Sequence, residues 1–183
     1  MLILAICGSA RRQSTNLALL QALQTVAPDG MTLRIFDGIG DLPVFSPDLE
    51  GAALPEAARA FKHLVGASDG LLIASPEYVR SIPGGLKNAI DWLVSGDEIV
   101  EKPVALVHAS HRGDDMLTAL RLVLSTVSGC FAPDLFLRIP VMSKSPELVH
   151  QIVTASEQRT AASDFLRAFA SYCVAAGAAR TAV

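Results

Sequence analysis

A chain of 183 residues with 51% hydrophobic residues, 18% charged residues and a mean hydropathy of +0.41 fits one domain of ordinary size, and it carries too little charge for a disordered or coiled-coil chain. Its longest charge-free stretch, Gln13 to Pro28, holds Ser, Thr, Asn and three Gln, so it is no lipid-facing span. The net charge of −3, with no basic run longer than Arg11-Arg12, argues against the clustered basic face of a nucleic-acid binder.

In chain order, Leu2 to Cys7 reads as a buried strand and Asn16 to Ala27 as a helix. The apolar opening Met1 to Cys7 has no basic residue before it, so no signal peptide is expected. Thr32 to Phe36 is a second strand. Asp37 to Leu54, with three Gly and two Pro, reads as a long loop. Pro55 suits the first position of a helix running to Ala67. Gly70 to Ser75 is a strand, Gly85 to Val94 a helix, Val104 to Ala109 a strand and Asp114 to Val127 a helix. Leu135 to Ile139 looks like the fifth strand. The chain ends in a helix in which Ala162, Phe165, Leu166, Phe169, Tyr172 and Cys173 recur at 3.6-type spacing. Five strands alternating with helices imply an α/β protein, a parallel sheet covered on both faces, because parallel neighbours need helical crossovers. We expect one domain over residues 1–183. The odd number of cysteines (Cys7, Cys130, Cys173) lacks metal-type spacing, and reduced thiols in a cytoplasmic protein are expected.

Ligands of such sheets bind beyond the carboxyl ends of the strands, which singles out three loops. The first, Cys7 to Asn16, joins a strand to a helix. Gly8 permits a tight turn, Ser9, Ser14 and Thr15 bring hydroxyls, and N–H groups at the helix start favour an anion. Arg11 or Arg12 can add a charge-assisted contact to phosphate. Residues 1–28 contain no Asp or Glu, as a phosphate site requires. A Ser-capped helix with two solvated arginines is the plainer alternative. Neither G-x-x-x-x-G-K-[ST] nor G-x-G-x-x-G occurs after the first strand. Cys7 and Arg12 resemble the loop of cysteine phosphatases, but four residues separate them where that family needs five. Cys7 is expected to be a small buried residue.

The second loop, Ser75 to Gly85, has two stiffening prolines, the apolar surface of Tyr78 and Ile82, and Gly84 and Gly85 for close backbone approach. It suits a flat heteroaromatic ring. Trp92 on the following helix is expected to pack. In the third loop, Ser110 to Asp115, Asp114 or Asp115 is expected to cap the next helix. His108 and His111 form H-x-x-H without a supporting carboxylate, so no metal is expected there. His63 and His150 receive no role.

With these residues in view, the sequence resembles the NADPH-dependent FMN reductase family of flavodoxin-like proteins, which includes quinone, azo-dye and chromate reductases. Its first motif, G-S-x-R-x-x-S-x-N, is matched at Gly8, Ser9, Arg11, Ser14 and Asn16. Its second, P-E-Y-(N)-x-S-I-P-G-x-L-K-N-A-I-D-W-L, is matched at Pro76 to Tyr78 and from Ser81 to Leu93. The resemblance implies a flavodoxin-like, doubly wound five-stranded parallel sheet with helices on both faces.

It also implies an FMN-dependent oxidoreductase with NADPH or NADH as co-substrate, passing electrons to a quinone or another small acceptor. Ser9, Arg11, Ser14, Thr15 and Asn16 would hold the FMN phosphate. Pro76, Glu77, Tyr78 and Val79 would line the ring edge, with Ser110, His111 and Gly113 closing its other side. No side chain need act as acid or base. Arg80, Arg112 or Arg12, placed at the cleft, would meet the nucleotide's phosphates. The family's dimers imply a homodimer or homotetramer, with neither nucleic acid nor membrane as partner. The sequence departs from the family at Val79, where Asn is common, at Arg80, and in a third loop with Gly113 alone followed by two acids. Carboxylates there would disfavour an anionic reduced flavin and repel nucleotide phosphates. The competing implication is an FMN-binding electron carrier or regulator without reductase activity.

Overall fold

A computed structural model describes residues 1–181, with side chains as far as residue 179. Five parallel strands form one sheet: β1 (Leu2–Cys7), β2 (Thr32–Phe36), β3 (Gly70–Ala74), β4 (Val104–His108) and β5 (Phe131–Arg138). Their order is β2-β1-β3-β4-β5. This is the flavodoxin-like order that the resemblance implied, with its switch point between β1 and β3.

The strand sequences are continuous apolar runs because both faces are covered. Side chains alternate across the pleat. Ile3, Ala5, Cys7, Leu72, Ala74, Ala105 and Val107 face one core, closed by α1 (Thr15–Thr25), α5 (Pro146–Thr154) and α6 (Ser156–Thr181). Leu4, Ile6, Leu71, Ile73, Val104 and Leu106 face the other, closed by α2 (Glu56–Ala67), α3 (Gly84–Asp91) and α4 (Asp114–Val127).

Several boundaries expected from sequence need adjustment: the first helix ends at Thr25 rather than Ala27, and the one expected to reach Val94 ends at Asp91. Pro55 is the residue before α2 rather than its first position. The segment from Asp37 to Leu54 contains three short 3-10 turns. The helix α5 stands apart from α6; Ser145 caps it by accepting from Leu148 N at 3.3 Å, and Pro146 follows. Strand β5 begins four residues earlier than Leu135, since it includes Pro133 and Asp134. They are tolerated because β5 is the edge strand and its ladder is irregular: Val104 pairs with Phe131 but Leu106 with Phe136.

The long segment is anchored by the second motif. Asn88 Nδ2 donates to Pro43 O at 2.9 Å, and Asn88 Oδ1 accepts from Phe45 N at 2.8 Å. Trp92 Nε1 donates to the same Pro43 carbonyl at 2.8 Å, and its ring meets Phe45 edge-on at 5.1 Å. Trp92 therefore packs, as expected, and it also carries a hydrogen bond that satisfies its indole.

Candidate functional site

The three loops enclose a cleft of about 370 Å³ beyond the carboxyl ends of β1, β3 and β4. That volume falls within the range of about 300–1,000 Å³ usual for small-molecule sites.

The first loop is drawn tightly against the second. Gly8 N donates to Ala74 O at 2.7 Å. A Cβ on Gly8 would stand 2.9 Å from Leu86 Cδ2 and 3.0 Å from the Ala74 carbonyl, so any side chain there would crowd the second loop. Ser14 is the N-cap of α1; its Oγ accepts from Asn16 N at 3.2 Å and Leu17 N at 3.4 Å. Ser9 Oγ accepts from Arg11 N at 3.3 Å. Both hydroxyls keep their own protons for a ligand. Ser9, Arg11, Ser14, Thr15 and Asn16 all line the cleft. Asn16 is buried, and its Oδ1 has no partner. Because the two ends of an amide exchange by rotation, this side chain offers a donor to an anion.

Cys7 lies beneath this loop, its Sγ donating to Ser9 O at 3.6 Å. Burial pushes its thiol pKa up, whereas a nucleophilic cysteine needs it lowered. Cys7 is the small buried residue expected from sequence.

Pro76, Glu77 and Tyr78 of the second loop line the cleft, Tyr78 being half-exposed. Backbone bonds between Tyr78 and Ser81 close a two-residue turn whose centre is Val79 (φ 51°) and Arg80 (φ 58°). Such a turn holds both residues left-handed, a conformation suited to Asn or Gly. Val79 is 98% exposed and lies outside the lining residues, as does Arg80. Arg80 Nε instead reaches Asp115 Oδ2 at 2.6 Å, and this bond raises the guanidinium's pKa.

In the third loop neither acid caps α4, contrary to expectation. The N-cap is Gly113, left-handed at φ 103°, with no side chain to offer. The Glu77 carboxylate crosses from the second loop and accepts from Met116 N at 3.0 Å. Asp114 turns away to Arg138, whose hydrogen bond holds the carboxyl below the usual carboxylate range. Both acids that threatened an electron-rich ligand are thus paired with arginines. Ser110, Arg112 and Gly113 line the cleft; His111 is exposed and does not.

Four further lining residues escaped sequence reading: Ser75, His108, Ala109 and Met142. The first three lie at or just past the ends of β3 and β4, whose loops were already singled out, which was a usable signal. Met142 follows β5, and its Sδ accepts from Ser110 Oγ at 3.4 Å, a contact with no local trace. No cluster of three or more His, Cys, Asp or Glu suited to a metal exists among the described residues.

Fold and site together define a class: a flavodoxin-like α/β protein with an anion-ready loop after its first strand and an aromatic-sided cleft at the switch point. The sequence model of one family, described as NADPH-dependent FMN reductase, matches residues 1–140, and the chain belongs to that family. A 2-hydroxy-1,4-benzoquinone reductase from a Burkholderia species is 49% identical over 90 residues, 49% of this chain and 48% of the relative. An NAD(P)H-dependent FMN reductase of Pseudomonas aeruginosa is 39% identical over 110 residues, 59% of each chain. The chain spans about half the length of the first of these curated relatives. Among solved structures, the flavoenzyme NAD(P)H:(acceptor) oxidoreductase FerB from Paracoccus denitrificans superposes with a TM-score of 0.72 at 26% identity, covering 94% of this chain and 96% of that one.

Proposed function

We propose that the protein is an FMN-dependent NAD(P)H oxidoreductase that delivers electrons to quinones. The observation that carries this reading is the first loop. It combines a serine-capped helix start, a buried Asn16 amide whose oxygen has no partner and exposed Arg11 with an absence of carboxylates through residue 28. These residues fit the phosphate of FMN. A helix N-terminus with free hydroxyl protons and a guanidinium suits a dianion.

When bound, FMN supplies the hydride and electron chemistry; the chain supplies binding, orientation and electrostatics. Ser9, Arg11, Ser14, Thr15 and Asn16 hold the phosphate end. Pro76, Tyr78 and the strand ends at Ser75 and Ala109 present a stiff wall to the flat ring, and Ser110 and Gly113 bound its far side. Arg112, exposed at the rim and without an ion-pair partner among the described residues, meets the nicotinamide nucleotide's phosphates. Arg80, whose Nε is engaged by Asp115 and which lies outside the cleft lining, is the weaker candidate for that role. Pairing of Asp114 and Asp115 removes the main reason for preferring a carrier without reductase activity.

The 49% identity to a 2-hydroxy-1,4-benzoquinone reductase supports a quinone as acceptor. We further infer one flavodoxin-like domain in a dimer-based assembly, cytoplasmic in keeping with an odd number of cysteines that lack metal-type spacing. No helix among the described residues is long and apolar enough to cross a membrane.

The test is the absorbance spectrum of purified protein mixed with FMN, followed by anaerobic NADPH or NADH. Bound flavin bleaching within seconds and recovering on addition of a benzoquinone is the expected result. A protein that leaves FMN free in solution overturns the reading, and bound flavin that never bleaches leaves only the carrier.

A further inference from the structure

His108 lines the cleft and lies outside both motifs. It ends β4 on the side facing α4, and its ring is 1% exposed. Nε2 lies 2.5 Å from the Arg112 carbonyl oxygen. A carbonyl only accepts, so the proton of the neutral ring sits on Nε2. Nδ1 therefore carries a lone pair, and it is buried without a partner. The third loop is wrapped onto this ring. A Cβ at Gly113 would lie 2.8 Å from Nε2 and 3.0 Å from Cε1, so the loop needs glycine there.

A histidine that merely fills a core has both nitrogens satisfied. This ring lines the cleft with one nitrogen unused. The groups around it are balanced between two protonation states. Burial, the largest influence, and then Arg138 on β5 disfavour the imidazolium; the Arg112 carbonyl, the Ser75 backbone and Asp114 at the start of α4 favour it. From the second loop, Glu77 packs beside Gly113, its carboxylate engaged by Met116 N. With the cleft at rest the pKa is held below the ordinary histidine value, so the ring is neutral. A negative charge placed in the cleft tips that balance the other way.

We propose that His108 is the charge-compensating residue of the cleft, taking up a solvent proton on Nδ1 when bound flavin is reduced and returning it when the acceptor is reduced. The proposal rests on the flavin reading above. Its balance is simple. Hydride from the nicotinamide brings two electrons and one proton, the oxidised nucleotide leaves, and the cleft is left with one additional negative charge. One proton from solvent then forms an N–H bond at Nδ1, the only bond made to the protein, and it breaks when that proton is given up. A quinone becoming a hydroquinone takes two electrons and two protons: the hydride and the proton from His108, after which the ring is neutral again. The protonated ring has a second N–H for the Ser75 backbone, so it ties the second loop to the third while the flavin is reduced. Such a site favours acceptors that consume protons with their electrons over one-electron metal complexes.

The experiment follows the imidazole directly. Protein labelled at histidine is titrated by NMR in three states: without FMN, with oxidised FMN and with FMN reduced by dithionite, the His108 signal being assigned by its loss in His108→Gln. We expect the His108 titration midpoint to rise by about 1–3 pH units on reduction. The plot of FMN midpoint potential against pH is expected to break in the wild type. It should lack that break in His108→Gln, whose amide still donates to the Arg112 carbonyl but takes no proton. A break that persists in His108→Gln, or a His108 midpoint that does not move on reduction while FMN is bound, overturns the proposal alone. Failure to quench FMN fluorescence overturns the flavin reading and this proposal with it.

Discussion

Val79 and Gly113 are opposite solutions to one backbone demand. Both sit at positive φ beside the cleft, 51° and 103°. Gly113 has no Cβ to strain, and it leaves room for the His108 ring. Val79 is β-branched and 98% exposed, so nothing packs against it to offset the left-handed conformation. Val79→Asn should therefore stabilise the protein by about 1 kcal/mol, read as a rise in Tm; an unchanged or lower Tm would sink this account of the turn. Gly113→Ala should cost about 1–3 kcal/mol and weaken FMN binding together, because the added methyl strains the backbone and displaces His108. Fluorescence titration beside thermal melts checks both; a stability loss with unaltered FMN affinity would mean that His108 does not shape the cleft. The sequence revealed that Val79 departs from the family, but not that a two-residue turn makes Asn the comfortable residue there.

At the scale of elements, the second motif turns out to serve two structures at once. Its first half lines the cleft, and its second half, through Asn88 and Trp92, holds the long segment between β2 and α2 by its Pro43 and Phe45 backbone groups. Sequence reading called that segment a loop because Gly and Pro break both periodicities; it had no means to see which side chains satisfy its backbone. Asn88→Ala leaves the Phe45 N–H and the Pro43 carbonyl each without the amide. Cleavage by a low level of protease should then concentrate between residues 37 and 54, with a stability loss of about 1–3 kcal/mol. Unchanged cleavage sites and rates would show that Trp92 alone anchors the segment. Helix α4 illustrates the same limit. Two acids at its start looked like caps, yet the carboxylate that reaches its N–H groups comes from Glu77, 39 residues earlier. Capping by a residue so distant in sequence leaves no local pattern.

For the whole molecule, the buried titratable groups set the pH range of stability. His108 has a folded-state pKa below its ordinary value, so the unfolded chain binds a proton more readily. Its neutral form contributes stability that is present above about pH 6.5 and is lost as the pH falls below it. Cys7 works in the opposite direction. Its raised pKa keeps the thiol protonated, and that contribution is lost as the pH rises into the alkaline range. The urea midpoint should fall as pH drops from about 7.5 to about 5.5, and fall less in His108→Gln. The other three histidines are exposed, so an equal fall in both proteins would mean that His108 is already protonated in the folded state.

The sequence by itself determined the layered parallel sheet and, by likeness, the flavodoxin-like fold class and the family. Apolar runs of strand length and helical periodicities are local consequences of being buried on two faces or one, and the two motifs are contiguous segments. It also singled out the loop proposed here to hold an anion, because the exclusion of carboxylates from residues 1–28 is a property of composition. Only the tertiary structure decided which charges are spent on one another. Arg80 with Asp115, Arg138 with Asp114 and Glu77 with the α4 N-terminus join residues from different strand ends, and Met142 reaches the cleft from beyond β5. Charged residues make up only 18% of this chain. The fold shows that around the cleft much of that charge is paired, which leaves Arg11, Arg12 and Arg112 without ion-pair partners among the described residues. Coulombic pairing depends on distance in space, and no spacing along the chain encodes it.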